Sequence, residues 1–183
     1  MRFNPLQGRS ARDIVNSYNE EELLRMITRY GEEPVNRARR IARAVAGNRP
    51  IKTSLGLASL IEKVAPRGKS KIHPATRTFQ AIRVEVNEEL KNLEMGLDQA
   101  ISILKPGGRL AVISYHSLED RVVKNFYRRE ATDCICPPSR PVCACGHKAS
   151  IRLVNKKVIT PAPEEVLVNP RSRSARMRVA EHL

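Results

Sequence analysis

One change of hydrophobic rhythm constrains this chain more than any other feature. Phe79, Ile82, Val86, Leu90, Leu93, Leu97, Ile101 and Leu104 recur at spacings of three and four, the mark of an amphipathic helix. The spacing predicts one continuous helix of roughly seven turns. Pro106, Gly107 and Gly108 then stop the pattern, and "RLAVISY" follows as a short apolar run, Leu110 to Tyr115, with the make-up of a buried strand. A second helical pattern runs from Leu118 to about Arg129. Helix, glycine turn, apolar strand and helix is the rhythm of an α/β layer with a parallel sheet. Past a Cys-rich loop at 133–147, "IRLVNKKVI" and "ARMRVAEHL" alternate as two further strands.

Upstream the pattern is different. Ser10 can cap a helix over 11–17, and Asn19 can cap "EEELLRMITRY", which Gly31 stops. Pro34 sits in the first turn of "PVNRARRIARAVAGN", with Gly47 and Asn48 as its stop signal. Thr53 or Ser54 opens "TSLGLASLIEKV", which Pro66 ends. Four short helices with no alternating strand pattern make residues 10–66 a compact helical module, and the pattern changes after Pro74 into an α/β part running to residue 183. In the third helix Val35, Ala38, Ile41, Ala42 and Val45 fall within about 120° of arc, leaving Arg39, Arg40 and Arg43 on the far side.

Charge sharpens this picture. The 183 residues carry 33 Lys and Arg against 19 Asp and Glu, a net +14. Residues 1–83 hold 17 basic and 7 acidic side chains, residues 84–147 hold 8 and 9, and residues 148–183 hold 8 and 3. A basic surface of this kind draws polyanions, RNA or DNA first, because each neutralised phosphate releases counterions; a solvated face is the plainer alternative. Aromatic residues make up only 4%, with no Trp, which argues against stacking platforms for single-stranded bases. No apolar run approaches the roughly 20 residues of a membrane span, and no secretory signal follows "MRFNPLQGRS". A cytoplasmic protein without a membrane partner is expected.

The chemistry-bearing stretch is "ISYHSLEDRVVKNF". Ser117 with Asp120 fits a capping box, the hydroxyl accepting from the backbone and the acid lying where the helix dipole favours it. That leaves His116, at the carboxyl end of a strand, where ligands sit in open parallel sheets. No glycine elbow surrounds Ser117, so a Ser–His nucleophile pair is disfavoured. Cys134, Cys136, Cys143 and Cys145 form two C-x-C pairs, a pattern that favours structural zinc over disulfides, with free thiols in a surface loop as the alternative. Two basic elements remain. Lys69, Lys71, His73, Arg77 and Thr78 gather at a loop-to-helix junction, and Arg171, Arg173, Arg176 and Arg178 lie within eight residues; each set can hold phosphates or simply face solvent. There is no G-x-G-x-x-G and no P-loop, and "PGGR" at 106–109 is too short for a cofactor loop.

Three blocks in order, "HPATRTFQAIRVEVNEEL", "LKPGGRLAVISYHSLEDRVVKNF" and "NPRSRSARMRVAE", make the chain resemble the bacterial small-subunit ribosomal RNA methyltransferases of the MraW or RsmH family. "CICPPSRPVCACGHK" resembles a loop of some members. The resemblance runs over essentially the whole chain. It implies N4-methylation of a decoding-centre cytidine in 16S rRNA, with S-adenosyl-L-methionine as donor. The fold it implies is the C-terminal half of a Rossmann-like class I methyltransferase sheet, with residues 8–73 as an all-helical substrate-recognition insertion. His116, Ser117, Glu119 and Asp120 would then shape the substrate pocket, while Arg39, Arg40, Arg43, Lys69, Lys71, His73, Arg77, Arg171, Arg173 and Arg176 hold rRNA or the small ribosomal subunit. The family's glycine-rich donor loop lies upstream of Met1, so no donor-binding residue carries over. A complementary N-terminal fragment is therefore an expected partner. The alternative is a catalytically inactive rRNA-binding module or remnant.

Overall fold

The computed structural model describes residues 1–4, 8–67, 72–140 and 142–183. They divide into two compact units, Met1–Glu89 and Leu90–Leu183.

The first unit is helical, and its helix starts are written locally. Ser10 and Asp13 close a capping box on α1 (Ala11–Ser17), and Asn19 and Glu22 close one on α2 (Glu20–Gly31). Pro34 precedes α3 (Val35–Gly47). The Thr53 hydroxyl accepts from Gly56 N–H at 3.0 Å to start α4 (Ser54–Val64), which decides between the two cap candidates. α5 (Thr76–Val86) packs on α1 and α2, so the boundary at 73/74 falls inside this unit. Ile14, Leu23, Ile27, Ile41, Ile61 and Ile82 fill the core.

α2 does not end by a glycine in the left-handed region. That backbone is adopted by Glu32 (φ 51°), while Gly31 is buried where a Cβ would lie 2.7 Å from the Arg77 carbonyl oxygen. Gly31 is there for close approach. The free carbonyls at the end of α2 are met by α5: Arg77 donates to Glu32 O at 3.2 Å and Gln80 to Tyr30 O at 3.3 Å.

The long helix expected from Phe79 to Leu104 is two helices. α5 stops at Val86, Glu88 takes φ 48°, and α6 runs over Glu89–Ile103. Asn87 holds the break: its side chain donates to Met1 O and Arg83 O and accepts from Phe3 N–H.

In the second unit, Gly107 (φ 81°) and Gly108 turn the chain from α6 into β1 (Arg109–Ser114). A Cβ on Gly108 would lie 2.8 Å from Lys105 O. α7 (Ser117–Glu130) follows, then β2 (Ile151–Leu153), α8 (Pro163–Val168), a short 3-10 turn at Pro170–Ser174 and β3 (Arg176–His182). The three-stranded sheet has the order β1-β3-β2. β3 is antiparallel to both neighbours, with Arg109 opposite Glu181 and Ile151 opposite His182.

A parallel sheet was the expectation, and among the described residues every pairing is antiparallel. β1 and β2 do run in one direction, as their crossover through α7 requires, but β3 arrives from the C-terminus and separates them. Of "IRLVNKKVI" only three residues pair as a strand, with Ile159 returning as a lone bridge to Met177. Leu97, Ile101, Val123, Phe126, Tyr127, Ile151 and Ala180 form the second core. Tyr127 is buried in it, its hydroxyl donating to Leu110 O at 2.9 Å and pushed up to about 12 by burial.

Candidate functional site

The turn from β1 into α7 gathers the pocket residues predicted from sequence. The cap is His116, one residue earlier than expected. Its backbone is extended (φ −137°, ψ 162°) and its Nδ1 accepts from Glu119 N–H at 3.4 Å. Glu119 returns the bond, Oε2 accepting from Tyr115 N–H at 2.9 Å and His116 N–H at 3.3 Å. Ser117 is the first helical residue and not the cap. Imidazole can replace a hydroxyl here because Nδ1 is an acceptor two bonds from Cβ, within reach of the same N–H.

With Nδ1 accepting, the proton of a neutral ring lies on Nε2, which is 3.1 Å from Glu119 Oε1. Burial works against the Glu119 charge, but the His116 ring and the two backbone N–H groups hold its carboxyl below the usual glutamate range. The carboxylate therefore fixes the strand end, the Glu119 N–H holds the ring at Nδ1, and the buried Nε2 makes no hydrogen bond among the described residues.

Asp120, only 6% exposed, faces the other way. It takes a bidentate pair from Arg178, Nε to Oδ1 at 2.7 Å and Nη2 to Oδ2 at 3.1 Å, with Arg176 at 3.4 Å. The Arg178 guanidinium, then that of Arg176, hold the Asp120 carboxyl below the ordinary aspartate range. Asp120 anchors α7 to β3 and so presents no free carboxylate, and Arg178 is bound to it. Arg176, half-exposed, retains some solvent face. The period-two spacing of Arg176 and Arg178 was the available signal, since it sets both on one face of a strand; their acidic partner lies 56 and 58 residues away.

The basic residues sort by unit. On α3, Arg39, Arg40 and Arg43 are exposed opposite the buried Ala38, Ile41, Ala42 and Val45, and Arg43 pairs with Glu20 at 3.5 Å. Val35, expected inside, is exposed. His73 and Arg77 are exposed at the start of α5. The Nδ1 of His73 accepts from Ala75 N–H at 3.2 Å, and Arg77 also lies 3.9 Å from Glu33. Lys69 and Lys71 lie outside the described residues. In the second unit Arg171 and Arg173 are exposed on the 3-10 turn. A groove of about 590 Å³ on the first unit, lined by Tyr18, Leu24, Tyr30 and Glu85 among others, contains none of the predicted site residues.

The four cysteines converge: their sulfurs all lie within 4.8 Å of one another. His147 does not join them, its Nε2 being 3.0 Å from Arg129 O. No helix among the described residues is long and apolar enough to cross a membrane.

Comparison with known proteins extends these observations. "Ribosomal RNA small subunit methyltransferase H" of Dehalococcoides mccartyi strain 195 is 58% identical over 183 residues, covering 100% of this chain and 52% of the relative. The protein of the same name from Thermomicrobium roseum is 52% identical over 186 residues, covering 100% and 56%. That of Geobacter sp. strain M21 is 50% identical over 188 residues, covering 100% and 60%. The chain thus spans about half the length of the curated relatives it matches. A model of one family, the MraW methylases, matches residues 1–183 from end to end; with His116, the Asp120–Arg178 anchor and the arginine face of α3 inside that match, the chain belongs to the MraW methylase family.

Proposed function

We propose that this chain is the acceptor-side half of an S-adenosyl-L-methionine-dependent enzyme that methylates N4 of a decoding-centre cytidine in 16S rRNA. The observation that carries this reading is the end-to-end match to relatives named for small-subunit rRNA methylation. In this reading the second unit supplies the C-terminal strands of a Rossmann-like sheet, and the helical unit recognises rRNA.

Among the described residues, the Gly107–Gly108 turn offers no cradle for the methyl donor. The Gly107–Gly108 turn is occupied by the end of β3, Gly107 N–H donating to His182 O and Gly108 O accepting from His182 N–H. Donor binding therefore falls to the part of the relatives' length that this chain does not span. β1 lies at the sheet edge with Ile113 55% exposed and Tyr115, just past its end, 58% exposed, a natural seat for a further strand.

Methyl transfer to an exocyclic amine needs the nitrogen aligned with the donor methyl and a group to take up charge and a proton. His116, held by Glu119 at the carboxyl end of β1, is the group proposed to position the base; Ser117 shares the turn. Arg39, Arg40, Arg43, His73, Arg77, Arg171 and Arg173 are the proposed phosphate contacts, with Lys69 and Lys71 beside His73 in sequence. The chain joined to a donor-binding N-terminal half is expected to transfer labelled methyl groups to small ribosomal subunits. His116→Ala in that enzyme should lower the rate by at least roughly tenfold, and an unchanged rate removes His116 from the mechanism. Micromolar binding of S-adenosyl-L-methionine by the 183-residue chain alone, measured by titration calorimetry, would contradict the assignment of the donor site elsewhere.

A further inference from the structure

We propose that Cys134, Cys136, Cys143 and Cys145 form a closed tetrahedral zinc site that clasps the loop between α7 and β2. The sulfur separations carry the assignment. Cys134 to Cys143 is 3.5 Å, Cys143 to Cys145 3.6 Å and Cys145 to Cys134 3.9 Å. Four sulfurs about 2.3 Å from one Zn²⁺ at tetrahedral angles stand about 3.8 Å apart. A disulfide would bring a pair to about 2.05 Å, and all four thiols are free.

The backbone around the sulfurs is arranged as a ligand support. Ala144 N–H donates to Cys136 Sγ at 3.4 Å, Cys136 N–H to the Cys134 sulfur, and the N–H groups of Ile135 and His147 to the Cys145 sulfur. Donors of this kind orient thiolates and offset their charge. Gly146 takes φ 62° directly after Cys145, a left-handed turn that costs an L side chain and folds the following N–H back onto the sulfur. Soft thiolates select zinc over the hard cations magnesium and calcium. With His147 engaged at Arg129 O, the four cysteines leave no open position, so the role is structural.

The location explains why a metal is needed. The loop has little core of its own: Val142 is 74% exposed and Ile135 is also exposed. Beneath it, Ser150 N–H donates to Glu130 O at 2.9 Å, Ser150 Oγ to Glu130 at 3.0 Å and Ala149 N–H to Asp133 at 3.2 Å. A metal closing residues 134–145 holds together the segment that brings the end of α7 to the start of β2.

The test is metal analysis of the full 183-residue chain, expressed with added zinc and purified under reducing conditions without chelator. About one zinc per chain is expected, with all four thiols unreactive to an aromatic disulfide reagent until a chelator is added. The double variant Cys134→Ser with Cys145→Ser should retain less than about a tenth of that zinc. Should that variant fail to fold, cobalt(II) titration of the unaltered chain decides: thiolate-to-cobalt charge transfer and the intense visible absorption of a tetrahedral centre are expected. The proposal is overturned by four reactive thiols with no bound zinc, by disulfides in place of thiols, by iron in the site, or by the weak spectrum of octahedral cobalt.

Discussion

At the residue scale, two side chains in one helical turn do different work. Asp120 is buried against Arg178, and removing its charge leaves a guanidinium in a site with 14% side-chain exposure. Asp120→Asn should cost about 3 kcal/mol in urea unfolding. The pH dependence has a defined sign. The folded pKa of Asp120 lies below the ordinary 3.8, so its contribution is fully present above that value and is lost as pH falls further, through the folded pKa. The difference between wild type and Asp120→Asn should shrink only in that acidic window; a difference that stays constant there would show that the pair does not carry the effect. His116, as the cap, should cost only about 1 kcal/mol when replaced by Ala. A large loss of methyl transfer with so small a loss of stability would separate a positioning role from a structural one. The sequence marked this turn correctly and assigned its cap one residue late, because Ser-x-x-Asp and His-x-x-Glu overlap and only the backbone dihedrals distinguish them.

At the scale of elements, two glycines inside helices have opposite meanings. Gly31 lies where a Cβ would meet the Arg77 backbone at 2.7 Å, and backbone cannot yield as a flexible side chain can. Gly31→Ala should therefore force α2 from α5 and cost about 1–3 kcal/mol. Gly96 in α6 is exposed with nothing within 4 Å of a Cβ, so Gly96→Ala should add about 0.5–1 kcal/mol. Thermal unfolding of both variants checks the pair, and equal shifts would contradict the packing described. The break between α5 and α6 was illegible for a related reason. Val86 to Leu90 keeps the helical spacing straight through it, while the interruption depends on Asn87 reaching the backbone of Met1 and Phe3, 86 and 84 residues away.

At the scale of the whole molecule, charge is the readable quantity. With +14 overall and an exposed arginine face on α3, binding to small-subunit rRNA should weaken steeply with salt. Replacing Arg39, Arg40 and Arg43 together by Gln should lower the slope of log K against log salt by roughly two. Filter binding across salt concentrations measures it, and an unchanged slope would take that face out of the RNA contact.

The sequence by itself determined the caps at Ser10 and Asn19, most of the buried stripe of α3, the turn at Gly107–Gly108 and the family, because each depends on neighbours in the chain or on order along it. Tertiary structure alone decided that β3 lies between β1 and β2, that Arg178 belongs to Asp120 and not to a phosphate, and that Gly31 is a contact and not a stop. Those outcomes are pairings between residues tens of positions apart. Period and spacing describe what each element offers, and only packing shows which offers are taken up.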